Sequence, residues 1–338
     1  MQSRSIATTD YHTGGEPFRI VSDPPVEIAG ATVAERRARA IEDPDVQALR
    51  AVLCCEPRGH ADMYGGFIVP PDDAGADLGV LFWHKDGFST ACGHGTIALG
   101  VWAVETGRVA APDDGSVDVV IDVPSGRVTA RVHREQGRVV AVDFVNVPSY
   151  VIANDVLATT SRGDVTVTVA YGGAIYATLP ASQVGLSVSP AHLGDLIALG
   201  REVKWALDDS EHAVHPTDAR LDGVYGTIWY DDLGDAPGEV HQRNVTVFAD
   251  GEVDRSPCGS GTCARLAVLA AEGRLPSGTV LRHDSIVDST FLGRVVDDVS
   301  VDGRPAVVPQ VTGMAYRTGE HVFSIDPYDP LVPGFVLR

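Results

Sequence analysis

Two cysteines, Cys92 and Cys258, sit in stretches of chain that repeat one another. Around Cys92 the sequence runs LGVLFWHKDGFSTACGHGTIALGVWAVETGRV, and around Cys258 it runs NVTVFADGEVDRSPCGSGTCARLAVLAAEGRL. In each copy Cys-Gly-x-Gly-Thr leads into an Ala/Leu/Val-rich segment of helical character. A thiol at the first turn of a helix lies beside unpaired backbone N–H groups and the positive end of the dipole. Both favour thiolate and lower its pKa from the free value of about 8.5. The same N–H groups bind carboxylates. Two such thiols flanking one anion suit the abstraction of an α-proton from an amino acid. That reaction needs a base on one face, an acid on the other, and stabilisation of charge developing on the carboxylate. A thiolate and a thiol exchange these roles in the reverse direction, so no cofactor is expected.

The neighbours of the two cysteines differ. His94 follows Cys92 by two residues, and Asp254 precedes Cys258 by four. Either is placed to share a thiol proton in its own half. Cys54, Cys55 and Cys263 read as small buried hydrophobes. The glycines also fit the loose G-x-G-x-x-G/A dinucleotide turn, at Gly93 to Ala98 and Gly259 to Ala264. Neither match directly follows a strand, and no convincing βαβ unit with a ribose-binding acid surrounds it. No phosphate loop or G-x-S-x-G elbow occurs, and the histidines are too scattered to suggest a metal site.

The elements that must position these thiols are legible in both copies. A β-rich run comes first, Leu78 to His84 and Asn244 to Ala249, followed by the turn signals Asp86-Gly87 and Asp250-Gly251. Gly107 lies 15 residues after Cys92, and Gly273 lies 15 after Cys258, each suited to the left-handed residue that closes a helix. Strands are expected downstream at Val117–Val123, Arg127–Val132, Val280–Arg282 and Phe291–Val296. Further strands are expected at Val139–Val147, Val165–Ala170 and Val224–Tyr230. Helices are expected at Val33–Ile41 and Pro44–Leu53. Another is expected at Ser189–Leu207, with Ser189 as N-cap and Pro190 in the first turn. Ser210–Asp218 reads as a loop.

The 338 residues suggest two domains. The expected division is 1–150 with the final residues 315–338, and 151–314, each domain carrying one thiol. Acidic residues outnumber basic ones by 46 to 26, giving a net charge of −20 that repels nucleic acid and anionic lipid surfaces. The N-terminus has no secretory h-region, and no apolar stretch reaches a membrane span of roughly 20 residues. Five cysteines without a paired framework point to a reducing, cytoplasmic setting.

With these residues together, the sequence resembles the proline racemase family. That family comprises proline racemases, 4-hydroxyproline 2-epimerases and trans-3-hydroxy-L-proline dehydratases. The matching pieces are His12-Thr13-Gly14-Gly15-Glu16-Pro17 and Glu56-Pro57-Arg58-Gly59-His60-Ala61-Asp62-Met63-Tyr64-Gly65. Then come Cys92-Gly93-His94-Gly95-Thr96 and Asp254-Arg255-Ser256-Pro257-Cys258-Gly259-Ser260-Gly261. The resemblance implies a diaminopimelate-epimerase-like α/β fold of two pseudo-symmetric domains, each a curled sheet around a central helix, with the active site in the cleft between them. It implies a homodimer, no cofactor, and a small imino acid as substrate. It places Cys92 and Cys258 on opposite faces of the substrate's α-carbon, with His94 and Asp254 as their partners. It gives the carboxylate to the amides of Gly93, His94, Gly259 and Ser260, and makes Tyr64 and Phe248 aromatic walls around the ring.

Position 258 divides the branches of the resemblance. Dehydratases of the family typically carry Thr there; Cys258 restores a two-base pair and favours racemisation or epimerisation. The surroundings of Cys92 and the Gly-Ser-Gly after Cys258 look more like the dehydratase branch. The expected activity is cofactor-independent racemisation or 2-epimerisation, with trans-4-hydroxy-L-proline ahead of proline. Dehydration of trans-3-hydroxy-L-proline at the same site is the alternative, and a non-catalytic imino-acid-binding protein is the alternative of another class.

Overall fold

The structure, a computed structural model, describes residues 4–337. It divides into two compact units, 1–142 with 314–338, and 143–313. Each unit has its own buried central helix.

In the first unit, Arg4–Thr13 pairs antiparallel with both Glu16–Val21 and Ala315–Ile325. Glu16–Val21 continues in parallel to Gly65–Val69, which pairs antiparallel with Leu78–His84. Two short helices pack on this sheet, α1 (Val33–Glu42) and α2 (Pro44–Cys54). Their starts follow from side chains: Thr32 Oγ1 accepts the Glu35 N–H, Asp43 caps Asp45 and Val46, and Pro44 opens α2. The central helix, α3 (Gly93–Glu105), is buried from Gly93 to Ala103. A helix apolar on all sides must be enclosed, and the sheet encloses it. Gly100 permits this close packing: a Cβ there would stand 2.7 Å from Ala130 Cβ on the strand Gly126–Glu135.

The second unit runs through Tyr150–Thr160, Gly163–Tyr171, Ile175–Pro180, Val224–Asp232 and Glu239–Phe248, each hydrogen-bonded to the next. Val280–Ser285, Thr290–Val301 and Arg304–Gly313 complete it. One face is covered by α4 (Leu193–Asp208), whose Leu196, Leu199, Val203 and Leu207 are buried. Trp229 Nε1 donates to Leu196 O at 3.0 Å and pins that helix to the sheet. A second central helix, α5 (Gly259–Ala271), is buried from Gly259 to Leu269.

The sequence repeat is a structural repeat. In the first unit Leu78–His84 turns into the short strand Gly87–Phe88, the chain reaches Cys92 and α3, and Gly115–Val123 returns parallel to the first strand. In the second, Glu239–Phe248 turns into Glu252–Asp254, the chain reaches Cys258 and α5, and Val280–Ser285 returns parallel. Both helices have 13 residues, and Gly107 and Gly273 close them at φ 70° and 72°.

One expected element is assembled differently. The segment after Ser189 begins as a 3-10 turn, Pro190–His192, and becomes α-helical only at Leu193. Ser189 makes no side-chain cap bond; its carbonyl instead accepts the His192 N–H at 3.0 Å, an i→i+3 contact that tightens the first turn. The stretch expected as loop at Ser210–Asp218 includes a 3-10 turn, Glu211–Ala213. Among the described residues, no helix is long and apolar enough to cross a membrane.

Candidate active site

In both units the cysteine is the N-cap of the central helix and its sulfur takes a first-turn amide. Gly95 N donates to Cys92 Sγ at 3.2 Å, and Gly261 N donates to Cys258 Sγ at 3.4 Å. The cap carbonyls take the next donors, Thr96 N at 3.0 Å and Thr262 N at 2.7 Å. The thiols are therefore aimed at the helix N-termini, where amides and dipole stabilise negative charge on sulfur or on a bound carboxylate. Gly93, His94, Gly259 and Ser260 form these first turns and are all buried.

Around Cys92 the partner is His94. Its Nδ1 and Nε2 stand 3.4 and 3.6 Å from Cys92 Sγ, so either nitrogen reaches the thiol proton. The imidazole is held by aromatic rings: Tyr64 meets it edge-on at 5.0 Å and Phe18 at 5.8 Å. Tyr64 is fixed in turn by a short hydrogen bond between its hydroxyl and Ser89 Oγ. Tyr64 is buried beside this imidazole.

Around Cys258 the partner is Asp254, whose carboxylate hydrogen-bonds the thiol. Ser256 N and Oγ donate to Asp254 Oδ1 at 2.8 and 2.7 Å, and Ser256 Oγ accepts Cys258 N–H at 3.1 Å. Burial nevertheless raises the Asp254 pKa to about 6, those hydrogen bonds opposing the rise. Burial, then the adjacent Asp254 charge, push the Cys258 thiol well above its ordinary range. In this half the resting pair is thus a neutral thiol beside a carboxylate that ionises near neutrality. Phe248 stacks on Tyr225 at 5.5 Å, and Tyr225 meets Tyr176 edge-on at 5.8 Å.

Three neighbours escaped the sequence reading. Tyr176 places its hydroxyl 2.7 Å from Ser260 Oγ and 4.0 Å from Cys258 Sγ. It lies 82 residues before Cys258 with no local pattern to mark it. Phe18 packs on Tyr64 and His94 from a strand far back in sequence. Ser256 was within reach, since it sits between Asp254 and Cys258 in the quoted motif. Cys258 also has φ 60°, a left-handed conformation that costs a non-glycine residue about 1–3 kcal/mol. Cys92, at φ −157°, is extended. Cys263 is buried within α5 and burial raises its pKa, which fits an inert core thiol.

The family model described as Proline racemase matches residues 8–336. The chain belongs to the proline racemase family. A trans-3-hydroxy-L-proline dehydratase of Bacillus cereus is 42% identical, over 99% of this chain and 99% of its own. A 3-hydroxyproline 2-epimerase of Burkholderia multivorans is 43% identical, again over 99% of each. The crystal structure of a hydroxyproline epimerase from Agrobacterium vitis, with bound trans-4-hydroxy-L-proline, superposes with a TM-score of 0.92 at 31% identity, covering 99% of this chain and 96% of that one. These proline racemase family likenesses extend over the whole fold, both central helices included.

Proposed function

We propose that the protein is a cofactor-independent 2-epimerase of a hydroxyproline, using Cys92 and Cys258 as paired acid and base. The observation that carries this reading is the duplicated thiol at a helix N-cap, each with its own proton acceptor, His94 or Asp254. One thiolate removes the α-proton, and the first-turn amides of Gly93, His94, Gly259 and Ser260 hold the carboxylate as charge moves onto it. The opposite thiol then delivers a proton to the other face. Tyr64 and Phe248 serve as ring walls that keep water from the carbanion. The enzyme acts as a cytoplasmic homodimer in this reading.

The more similar relatives are named for the 3-hydroxy compound, at 42% and 43% identity against 31% for the structure with the 4-hydroxy ligand. This moves the favoured substrate from trans-4-hydroxy-L-proline to trans-3-hydroxy-L-proline. It also supports a second outcome at the same site. A carbanion next to a carbon bearing hydroxyl is either reprotonated, which inverts Cα, or expels the hydroxyl, which dehydrates the ring. Cys258, as a proton donor, favours the first path.

Proton NMR in D2O separates the outcomes, using L-proline, trans-4-hydroxy-L-proline and trans-3-hydroxy-L-proline in separate tubes. Loss of the α-proton with growth of the inverted isomer establishes the epimerase and names its substrate. A cyclic imine from the 3-hydroxy compound establishes the dehydratase. Binding of pyrrole-2-carboxylate, a planar carbanion mimic, without α-proton exchange in any tube would leave a binding protein.

A further inference from the structure

Cys54 and Cys55 end α2 with their sulfurs 3.7 Å apart. Both are buried, at 0% and 7% exposure, so neither is a random surface thiol. Arg50, one turn earlier, brings Nη1 to 3.6 Å from Cys54 Sγ while the same nitrogen donates to the carbonyls of His84 and Lys85. The guanidinium is therefore fixed in place beside the sulfurs. The Cys54 thiol and this charge favour thiolate at Cys55, lowering its pKa to about 7 against the opposing burial.

The spacing selects among the things a dithiol can do. Joining the sulfurs to each other would require them to approach by about 1.7 Å, to the disulfide length near 2.05 Å. The peptide between them resists, because Cys55 N–H closes α2 on Ala51 O at 2.9 Å. Two sulfurs bound at about 2.3 Å to one shared centre, by contrast, stand about 3.3 Å apart at the roughly 90° angle of a pyramidal trivalent centre and about 3.8 Å apart at a tetrahedral one, so the observed 3.7 Å has to close by only a few tenths of an ångström. A divalent cation would want further donors and would be repelled by Arg50. A neutral trivalent centre needs little beyond two sulfurs.

We propose that Cys54 and Cys55 form a dithiol site that captures a trivalent thiophilic metalloid, of the organoarsenical class, between their sulfurs. Two As–S bonds form, the arsenic–oxygen bond breaks, and both thiol protons leave on that oxygen as water, with no change of oxidation state. Entry is governed by the C-terminal strap. Glu56 and Phe335 exchange backbone hydrogen bonds at 3.0 Å in both directions, and Gly334 lies so close that a Cβ would stand 3.0 Å from Cys55 Cβ. Local opening of this strap exposes the pair. The site is independent of the proposed activity.

The test is intact-mass and peptide mapping of the full chain after phenylarsine oxide, with Cys54→Ser, Cys55→Ser and Gly334→Ala variants. One arsenic per chain on the peptide holding Cys54 and Cys55 is expected, released by 1,2-ethanedithiol but not by a monothiol, and lost in each serine variant. Gly334→Ala, with φ 142° and a Cβ 2.7 Å from Glu56 O, pries the strap and should load several-fold faster. Where a serine variant does not fold by circular dichroism, alanine at the same position replaces it. Arsenic mapped to Cys92 or Cys258, arsenic retained in both single variants, or no uptake by either wild type or Gly334→Ala overturns the proposal. So does a Cys54–Cys55 disulfide formed with oxidised glutathione in a protein that takes up no arsenic.

Discussion

Asp254 carries its charge where burial opposes it, and the consequences for stability and for chemistry have opposite signs. Its folded pKa of about 6 lies above the ordinary 3.8. The neutral form is thus the favoured buried form, and the associated stability is complete below about pH 4 and lost as pH rises through about 6. The shift corresponds to about 3 kcal/mol withheld from the fold at neutral pH. Asp254→Asn keeps an oxygen for Ser256 N and Oγ without the charge. Its melting temperature should exceed the wild type's by a margin that grows between about pH 4 and 6 and is constant above; equal melting curves at pH 7.5 would show that the carboxylate is not strained. The same variant should lose at least about 100-fold in α-proton exchange, because the thiol proton has no acceptor. Wild-type kcat/KM should fall below about pH 6 as Asp254 protonates, and that acid limb should be absent from whatever activity the variant keeps. Cys92→Ala and Cys258→Ala should each abolish epimerisation, and a single variant with substantial turnover would refute the two-thiol mechanism. At this scale the sequence showed the partners that lie close by in the chain, His94 and Asp254. It could not show Tyr176, which reaches the Cys258 thiol, or Phe18, which reaches His94, because both come from strands distant in the chain, nor the left-handed backbone of Cys258.

The two central helices were readable because their signals are local and occur twice. The cysteine N-caps, the Gly-x-Gly first turns and the closing Gly107 and Gly273 all depend on residues within one helix length. The start of α4 lies at Leu193 and not at Pro190 because an N-cap serine and a following proline serve a 3-10 turn as readily as an α-helix. The first-turn glycines give the helix scale its own prediction. In a helix interior Ala is worth about 1 kcal/mol more than Gly. A Cβ at Gly95 would nevertheless stand 2.8 Å from Cys92 Sγ and 2.5 Å from the Phe18 ring, and one at Gly261 would stand 2.9 Å from Cys258 Sγ. Gly95→Ala and Gly261→Ala should therefore keep the far-UV circular dichroism of the wild type while kcat drops by at least about tenfold, the thiol having been pushed from its amide. A variant that keeps full kcat would show that these N–H to sulfur contacts do not position the base.

At the scale of the whole molecule, the net charge of −20 acts on the fold and on the ligand in different ways. Many of the carboxylates are paired at the surface, as in Arg131 with Asp118 and Arg162 with Asp195, but there are 46 acids for 26 bases, so an excess remains. Surplus like charge destabilises a compact chain by self-repulsion, and salt screens it, the Debye length shrinking from about 30 Å at 0.01 M to about 8 Å at 0.15 M. The melting temperature should therefore rise as sodium chloride is raised across that range. An imino acid is a zwitterion with no net charge, so the long-range field neither draws it in nor repels it. Pyrrole-2-carboxylate is an anion and must enter against that field before the helix N-termini can hold it. Salt should accordingly leave kcat/KM for hydroxyproline nearly unchanged while tightening inhibition by pyrrole-2-carboxylate. Parallel titrations of activity, inhibition constant and melting temperature against salt check all three expectations. A rise in kcat/KM that tracked the inhibitor's would mean that the substrate carries a net negative charge, which would exclude proline-class zwitterions.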